Sequence, residues 1–483
     1  MQSDLRMGTA AGRWVVAAAV LGSGISFLDS TVVNAALPAI SRSLHADLGD
    51  LQWVLTGYLL TLGSFLVLGG SLGDRYGRRR VFVIGLAAFA VTSTVCSVAP
   101  DITSLVVARC VQGAAAALVV PNSLAIVSAT FEPTSRGRAI GAWSGLGGVA
   151  TAVGPFLGGW LIDSVSWRLV FLINVPIAAA AAWIALRHVP ESHDDAARDR
   201  PIDVTGAALL TAGLAGLVYA LIEGPGEHWP MLAVVIGVAG VAALIAFLVV
   251  ETRVAAPIVP LPLFRSRQFS GANAVTFAVY AALGAVTFLL VVHLQTDLGY
   301  SALEAGASLL PLTAMMLLFS PRSGELAQRI GPRFQMTVGP FVVAASLLVI
   351  GQVNPGSSYW GAVFPGVLLL GAGLALMVAP LTATVLGAVE DAHAGIASAI
   401  NNSVARVAGL LAVAVLPAAA GLTARQGLDL VDGFAAAMGI AAALAALGGI
   451  IAFLTIRQGA VVECVRRADP AFSCYDDGVK RAA

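Results

Sequence analysis

Gly70-Ser71-Leu72-Gly73-Asp74-Arg75-Tyr76-Gly77-Arg78-Arg79-Arg80 sets five charges between two long apolar runs. A looser copy, Gly324-Glu325-Leu326-Ala327-Gln328-Arg329-Ile330-Gly331-Pro332-Arg333, begins 254 positions later. In each copy two glycines permit a tight reversal between paired helices, because glycine takes backbone conformations that other residues avoid. The arginines hold that reversal on the cytoplasmic side of a bilayer. Glycines and arginines at matching offsets in so charge-poor a chain point to two related membrane halves. Parallel repeats about an axis along the membrane normal are a known transporter architecture.

Composition supports a lipid environment. The 483 residues are 58% hydrophobic and 11% charged, with a mean hydropathy of +0.88, whereas a soluble domain carries about 25% charged residues. Net charge is zero, so nothing calls for a nucleic-acid partner. Cys96 and Cys110 fall in apolar spans and read as small packing residues, and Cys464 and Cys474 lie in a tail expected in the reducing cytosol. No metal site, cofactor site or disulfide framework follows from them. The first apolar run, Trp14 to Ala36, exceeds a signal-peptide core and contains Asp29 and Asn34, so it reads as a retained span.

A span needs about 20 mostly apolar residues. Turn residues and arginines divide the chain into fourteen such windows: 14–37, 51–71, 81–99, 104–129, 139–161, 168–186, 204–222, 231–250, 269–292, 303–321, 335–352, 361–386, 396–418 and 434–456. With the N-terminus inside, all Lys and Arg but five (Arg42, Arg109, Arg168, Arg406 and Arg425) fall on one face. That bias is what the positive-inside rule demands of a correct count. Both termini are therefore expected in the cytoplasm. The arginine hairpins follow spans two and ten, so two spans are inserted between two sets of six. The expected divisions are 1–190, a six-helix bundle; 191–267, a linker with two extra helices; 268–457, a second six-helix bundle; and 458–483, a cytoplasmic tail. Arginine replaces lysine almost throughout, a composition that points to a GC-rich bacterial genome and so to a bacterial plasma membrane.

Asp29 lies about 15 residues into the first span, roughly 22 Å along a helix. An ionisable group at that depth is a functional-site hypothesis by default. Arg109, in span four, needs a partner inside the bilayer, and Asp29 and Gln112 are the candidates if the spans pack together. Span five carries Gly145, Gly147, Gly148, Gly154-Pro155 and Gly158-Gly159, with small-xxx-small spacing at Gly141/Gly145 and Gly154/Gly158. Such faces let helices approach closely, and Pro155 offers a bend. Glu304 near the outer start of span ten and Arg406 in span thirteen are the ionisable candidates of the second half, Arg406 being weighed against a plain position near the cytoplasmic end. Phe27, Asn34, Tyr58, Gln112, Asn122, Trp143, Tyr280, Phe288, Glu304, Met315, Met316 and Met377 are candidates to line an adaptable cavity, each weighed against ordinary packing.

Taken together, these segments resemble the fourteen-span drug:proton antiporters of the major facilitator superfamily. Gly70-xxx-Asp74-Arg75-x-Gly77-x-Arg79-Arg80 is similar to the superfamily's loop signature between spans two and three, and Arg109-xx-Gln112-Gly113 to its span-four signature. Gly154-Pro155-xx-Gly158-Gly159 resembles the antiporter signature of span five, with Ala150 where that pattern often has glycine. Leu28-Asp29-Ser30-Thr31-Val32-Val33-Asn34-Ala35-Ala36-Leu37-Pro38 and Trp167-Arg168-Leu169-Val170-Phe171-Leu172-Ile173-Asn174-Val175-Pro176 resemble further segments of that branch.

The resemblance implies an all-α membrane protein of fourteen transmembrane helices, two six-helix bundles in parallel pseudo-repeat plus two inserted helices. It implies export of amphiphilic drugs by alternating access, with Asp29 and Arg109 coupling protons to substrate. Gly70, Asp74, Arg75, Gly77, Arg79 and Arg80 would act in gating, and Gly154, Pro155, Gly158 and Gly159 in antiporter helix packing. Gln328 stands where the first copy has Asp74, so a locking charge is expected only in the first half. The implied partners are an amphiphilic small molecule, protons and the bilayer, with the chain acting as a monomer. A dedicated exporter of one endogenous metabolite or lipid, and a non-transporting sensor on the same fold, stand as the alternatives. An enzyme is disfavoured: no GxxxxGK[ST] phosphate loop and no clustered His, Cys and carboxylate set is present.

Overall fold

The computed structural model describes residues 5–194, 203–226, 229–390, 394–422 and 430–457. The tail 458–483 with Cys464 and Cys474, part of the first linker with Arg198 and Arg200, and Arg425 lie outside the described residues. Among the described residues fourteen helices are long and apolar enough to cross a membrane, and each overlaps one window read from the sequence. Helices recur because only they satisfy every backbone donor and acceptor within a single spanning segment.

The first bundle comprises α1 (Ala10–Leu44), α2 (Leu48–Tyr76), α3 (Arg78–Ser97), α4 (Ile102–Thr130), α5 (Pro133–Ser164) and a broken sixth span, α6 (Leu169–Leu172) with α7 (Asn174–His188). The inserted pair is α8 (Val204–Gly226) and α9 (Met231–Glu251). The second bundle comprises α10 (Arg267–Thr296), a span interrupted between α11 (Ala302–Ala307) and α12 (Leu310–Ile330), α13 (Arg333–Ile350), α14 (Phe364–Gly387) entered through a π-helical turn at Tyr359–Val363, α15 (Ala394–Ala419) and α16 (Val431–Thr455).

The pairings of the first bundle recur in the second. α2 packs on α4 as α12 packs on α14, α1 on α5 as α10 on α15, and α3 on α7 as α13 on α16. The two hairpins correspond to the residue: Gly77 (φ +107°) and Gly331 (φ +84°) each end one helix just before the next begins. These positive φ values are what only glycine adopts cheaply. The other glycines of the motif do not turn the chain. Gly69 and Gly73 lie inside α2 against Ala117 and Asn122 of α4, where a Cβ would collide, and Gly70 faces Pro121.

The bundles meet where α2 touches α15, α5 touches α11 and α12, and α1 touches α10. Hydrogen bonds join them at the end opposite the arginine hairpins. Gln52 Nε2 donates to the Val413 carbonyl at 2.5 Å and Gln295 Nε2 to the Ala35 carbonyl at 3.0 Å, while the backbone N–H groups of Ala302 and Leu303 donate to the Asp163 carboxylate at 3.2 and 2.8 Å. Toward the arginine-rich end the helices splay: Gly141, Gly145 and Gly148 of α5 and Gly387 of α14 face nothing within 4 Å. The small-residue spacing at Gly141/Gly145 is thus not a packing face here, in contrast to Gly154/Gly158.

α8 and α9 pack on each other, and α8 lies across both α2 and α15. Leu214, Val218 and Ile222 of α8 are buried with Leu60 of α2 and Leu410 of α15, and Trp53 Nε1 donates to Glu223 Oε1 at 3.1 Å. α9 keeps little beyond Ala233, Gly240, Phe247 and Glu251 buried, the pattern of a helix whose outer face meets lipid.

Candidate functional site

Five elements converge on Asp29. Its helix is apolar for most of a membrane thickness, so the carboxylate can be satisfied only by side chains from neighbours. Arg109 Nη1 of α4 donates to Asp29 Oδ2 at 2.5 Å, and both side chains are excluded from solvent, at 1% and 0% exposure. Asp29 Oδ1 accepts from Gln112 Nε2 at 3.1 Å and from Asn174 Nδ2 of α7 at 2.8 Å. Gln112 Nε2 also donates to Ser93 Oγ of α3 at 2.8 Å, while its Oε1 accepts from Arg109 Nη1 at 2.7 Å. Arg109 is completed by α2: its Nε donates to the Val54 carbonyl at 3.1 Å and its guanidinium lies over the Tyr58 ring at 4.3 Å. The spacing Arg109-xx-Gln112 puts both side chains on one face of α4, and Gly113 admits the backbone of Tyr58 beside them.

This cluster borders a central cavity of about 460 Å³. Arg109 lines the cavity and Asp29 lies behind it, so the carboxylate reaches the passage through its arginine. α1, α2, α4 and α5 contribute to the walls from one bundle and α10, α12, α14 and α15 from the other. Ser398, Thr382 and Leu386, all near the arginine-rich end of their helices, extend its lining toward that end.

The expected cavity residues divide. Phe27, Asn34, Tyr58, Tyr280 and Met316 line it, as does Pro155, expected only in helix packing. Met315 does not: it packs on Gly371 of α14, one residue and about 100° round the helix from Met316. Gln112 belongs to the Asp29 cluster. Asn122 ties α4 to α2 by donating to the Gly69 carbonyl at 2.9 Å. Trp143 donates to Ser123 Oγ at 3.1 Å. Phe288 is buried in helix packing, and Met377 is buried against Gly339 of α13. Glu304 is solvent-exposed and caps α11 through Ser301, because a Ser-xx-Glu pair at a helix start satisfies two otherwise orphan donors.

The span-five glycines form a clasp between helices. A Cβ on Gly154 would meet Thr31, one on Gly158 would meet Val32, and one on Gly159 would strike Ala302 and Leu303 of α11, while Gly306 of α11 is pressed on Pro155.

At the arginine hairpin, Arg78 Nε donates to Asp74 Oδ1 at 2.8 Å and Arg75 stacks over Tyr76. Glu191 of the linker accepts from the Arg79 N–H at 3.0 Å and pairs with the Arg79 and Arg80 side chains at 3.7 Å each. The linker is held there by Arg78 N–H to the Ser192 carbonyl and Asp194 N–H to the Asp74 carbonyl, each at 2.9 Å.

Sequence reasoning missed four residues that the geometry singles out. Asn174 and Ser93 complete the Asp29 cluster, Asp163 joins the bundles and Glu191 pairs with two hairpin arginines, while the candidate Arg406 lines the cavity. A polar residue inside an apolar span was the available signal for Asn174 and Ser93.

The family model described as Major Facilitator Superfamily matches residues 19–413. The chain belongs to the major facilitator superfamily. Membership makes it a carrier rather than an enzyme, and with its fourteen spans a multi-pass membrane protein. It is 37% identical over 401 residues to a tetracenomycin C resistance and export protein of Streptomyces glaucescens, covering 83% of this chain and 74% of that one. It is 36% identical to the multidrug resistance protein Stp of Mycobacterium tuberculosis, covering 82% and 73%. A methylenomycin A resistance protein of Bacillus subtilis is 34% identical, covering 82% and 84%. Among solved structures, a peptide transporter POT in complex with sulfate superposes with a TM-score of 0.68 at 14% identity over 94% of this chain and 96% of that one. A D-xylose-proton symporter gives 0.65 at 14% identity over 92% and 98%. At that identity these structures speak to the fold alone.

Proposed function

We propose that this superfamily member exports amphiphilic small molecules across a bacterial plasma membrane in exchange for protons, by alternating access between its bundles. The observation that carries the reading is the wholly buried Asp29 carboxylate, joined to the cavity through the Arg109 guanidinium. A proton can drive a conformational cycle only through differential affinity for the two states. Protonation of Asp29 releases Arg109 from its partner, and a substrate in the cavity meets that same arginine. Asp29 and Arg109 are the coupling pair, with Gln112, Asn174 and Ser93 fixing their geometry.

In this reading both termini and the arginine hairpins are cytoplasmic, which makes the observed conformation open to the cytoplasm. Asp74, Arg75, Arg79 and Arg80 then lock that side when the cavity turns outward, and the Gly154–Gly159 clasp on α11 is the outer closure. The working units are 1–190, 191–267, 268–457 and the tail 458–483, acting as a monomer without a cofactor.

The test is transport in inverted vesicles under an imposed pH gradient, screened across cationic, neutral and acidic amphiphiles. The native protein accumulates substrate when the lumen is acid, and Asp29→Asn inserts normally but does not. Asp74→Asn binds substrate and turns over more slowly. Gradient-driven uptake by Asp29→Asn at the native rate would overturn the coupling assignment.

A further inference from the structure

The geometry points to Arg406 as the recognition group for an acidic substrate: the cavity is built to take an aromatic or polycyclic amphiphile bearing a carboxylate or phenolate. Arg406 lies twelve residues into α15 from Ala394, about 18 Å along the helix, and so near mid-membrane. Its Cβ lies 3.5 Å from where a Cβ on Gly63 of α2 would sit, so that glycine admits the arginine between the bundles. The guanidinium stands 5.8 Å from the Phe27 ring centroid. No hydrogen bond or ion pair reaches Arg406 among the described residues.

The charge balance of the cavity fixes the sign of its ligand. Among the described residues, Arg109 and Arg406 are the cationic members of its lining, and no Asp or Glu lines it. Arg109 is already neutralised by Asp29. One unit of positive charge therefore faces the passage uncompensated, which repels a cationic amphiphile and attracts an anion. A guanidinium binds a planar carboxylate through two parallel N–H donors, and binds it more strongly where water is scarce. Around Arg406 the walls supply an apolar and aromatic frame from Phe27, Tyr58, Tyr280, Leu283, Leu290 and Met316. Ser398 and Asn402 precede Arg406 at intervals of four on the same face of α15 and also line the cavity, so a polar track leads from the arginine-rich end to Arg406.

The assignment deepens the export reading and draws its biological meaning from it, but the binding it asserts needs no proton gradient. The test is equilibrium binding to the full chain in lipid nanodiscs of three probes that share one body: 1-pyrenebutyrate, 1-pyrenebutanol and 1-pyrenebutylamine, with empty nanodiscs as blank. The native protein binds the acid at least tenfold more tightly than the alcohol or the amine. Arg406→Gln lowers affinity for the acid tenfold or more and leaves that for the alcohol within threefold, while Arg406→Lys keeps most of the preference. The alcohol reports that the cavity is intact; if Arg406→Gln loses it too, the ranking by the native protein and by Arg406→Lys decides. Equal or tighter binding of the amine by the native protein overturns the assignment, as does an acid preference that survives Arg406→Gln. Either result leaves gradient-driven export of neutral or cationic compounds standing, whereas an acid preference without gradient-driven transport defeats the export reading and not this one.

Discussion

Replacing Asp29 by asparagine destabilises the fold as well as stopping proton-driven transport, and the two effects can be separated. Asp29 accepts three side-chain hydrogen bonds in a site with no solvent access, one from the permanently charged Arg109. Removing one member of a buried ion pair costs about 3–5 kcal/mol, because the surviving charge stays buried without its partner. Arg109 still keeps the Val54 carbonyl, Gln112 Oε1 and the face of Tyr58, so the low end, about 3 kcal/mol, is expected here. Neutralising both partners in Asp29→Asn/Arg109→Gln removes the orphaned charge. The double variant is therefore expected to be more stable than the single one by about 2 kcal/mol, the coupling typical of residues in direct contact. Equilibrium unfolding in mixed micelles measures the stabilities, and vesicle transport shows both variants inactive. A single-variant cost below about 1 kcal/mol, or a double variant no more stable than the single, refutes the argument that Arg109 depends on Asp29 for its charge balance.

Three further outcomes test the frame of the site. Gly159→Val forces a side chain against Ala302 and Leu303 and so opposes closure of the bundles at that end; maleimide labelling of a cysteine placed at Asn34, on a cysteine-free background, should rise from the side opposite the arginine hairpins. Asp163→Ala removes the carboxylate that accepts from two N–H groups at the start of α11, a loss of about 1 kcal/mol from the observed state by analogy with helix capping; spin-label distances between α5 and α11 should show the separated population growing about fivefold. Gly77→Ala meets both a φ of +107° and the Glu191 carboxylate, and a residue forced into such a region costs about 1–3 kcal/mol, read as a lowered midpoint of thermal unfolding.

Hydropathy made the spans legible, because a bilayer asks the same of every crossing segment. Paired motifs at a fixed offset made the repeat legible, and Gly77 and Gly331 occupy equivalent turns. The Asp29 and Arg109 pairing could be anticipated as a charge requirement: two ionisable groups inside lipid need each other or another partner. Facing was the part that could not be read. Span boundaries good to a few residues leave a side chain's direction open by more than a full turn, which is why Met316 lines the cavity and Met315 does not. The same uncertainty covers Arg406: the window 396–418 put it near mid-span, where α15, beginning at Ala394, confirms its depth, but did not say that it faces the cavity. Asp163 and Glu191 look like ordinary polar residues at span ends until the tertiary fold brings α11 and the arginine hairpin to them.

The α8–α9 pair makes the two seams between the bundles unlike each other. The inserted hairpin covers the seam of α2 and α15, burying Leu214, Val218 and Ile222 there. Among the described residues neither inserted helix packs on α5 or α12, so the seam between those two helices has no such cover. The molecule thus has a handedness in the plane of the membrane that a symmetric pair of bundles would lack.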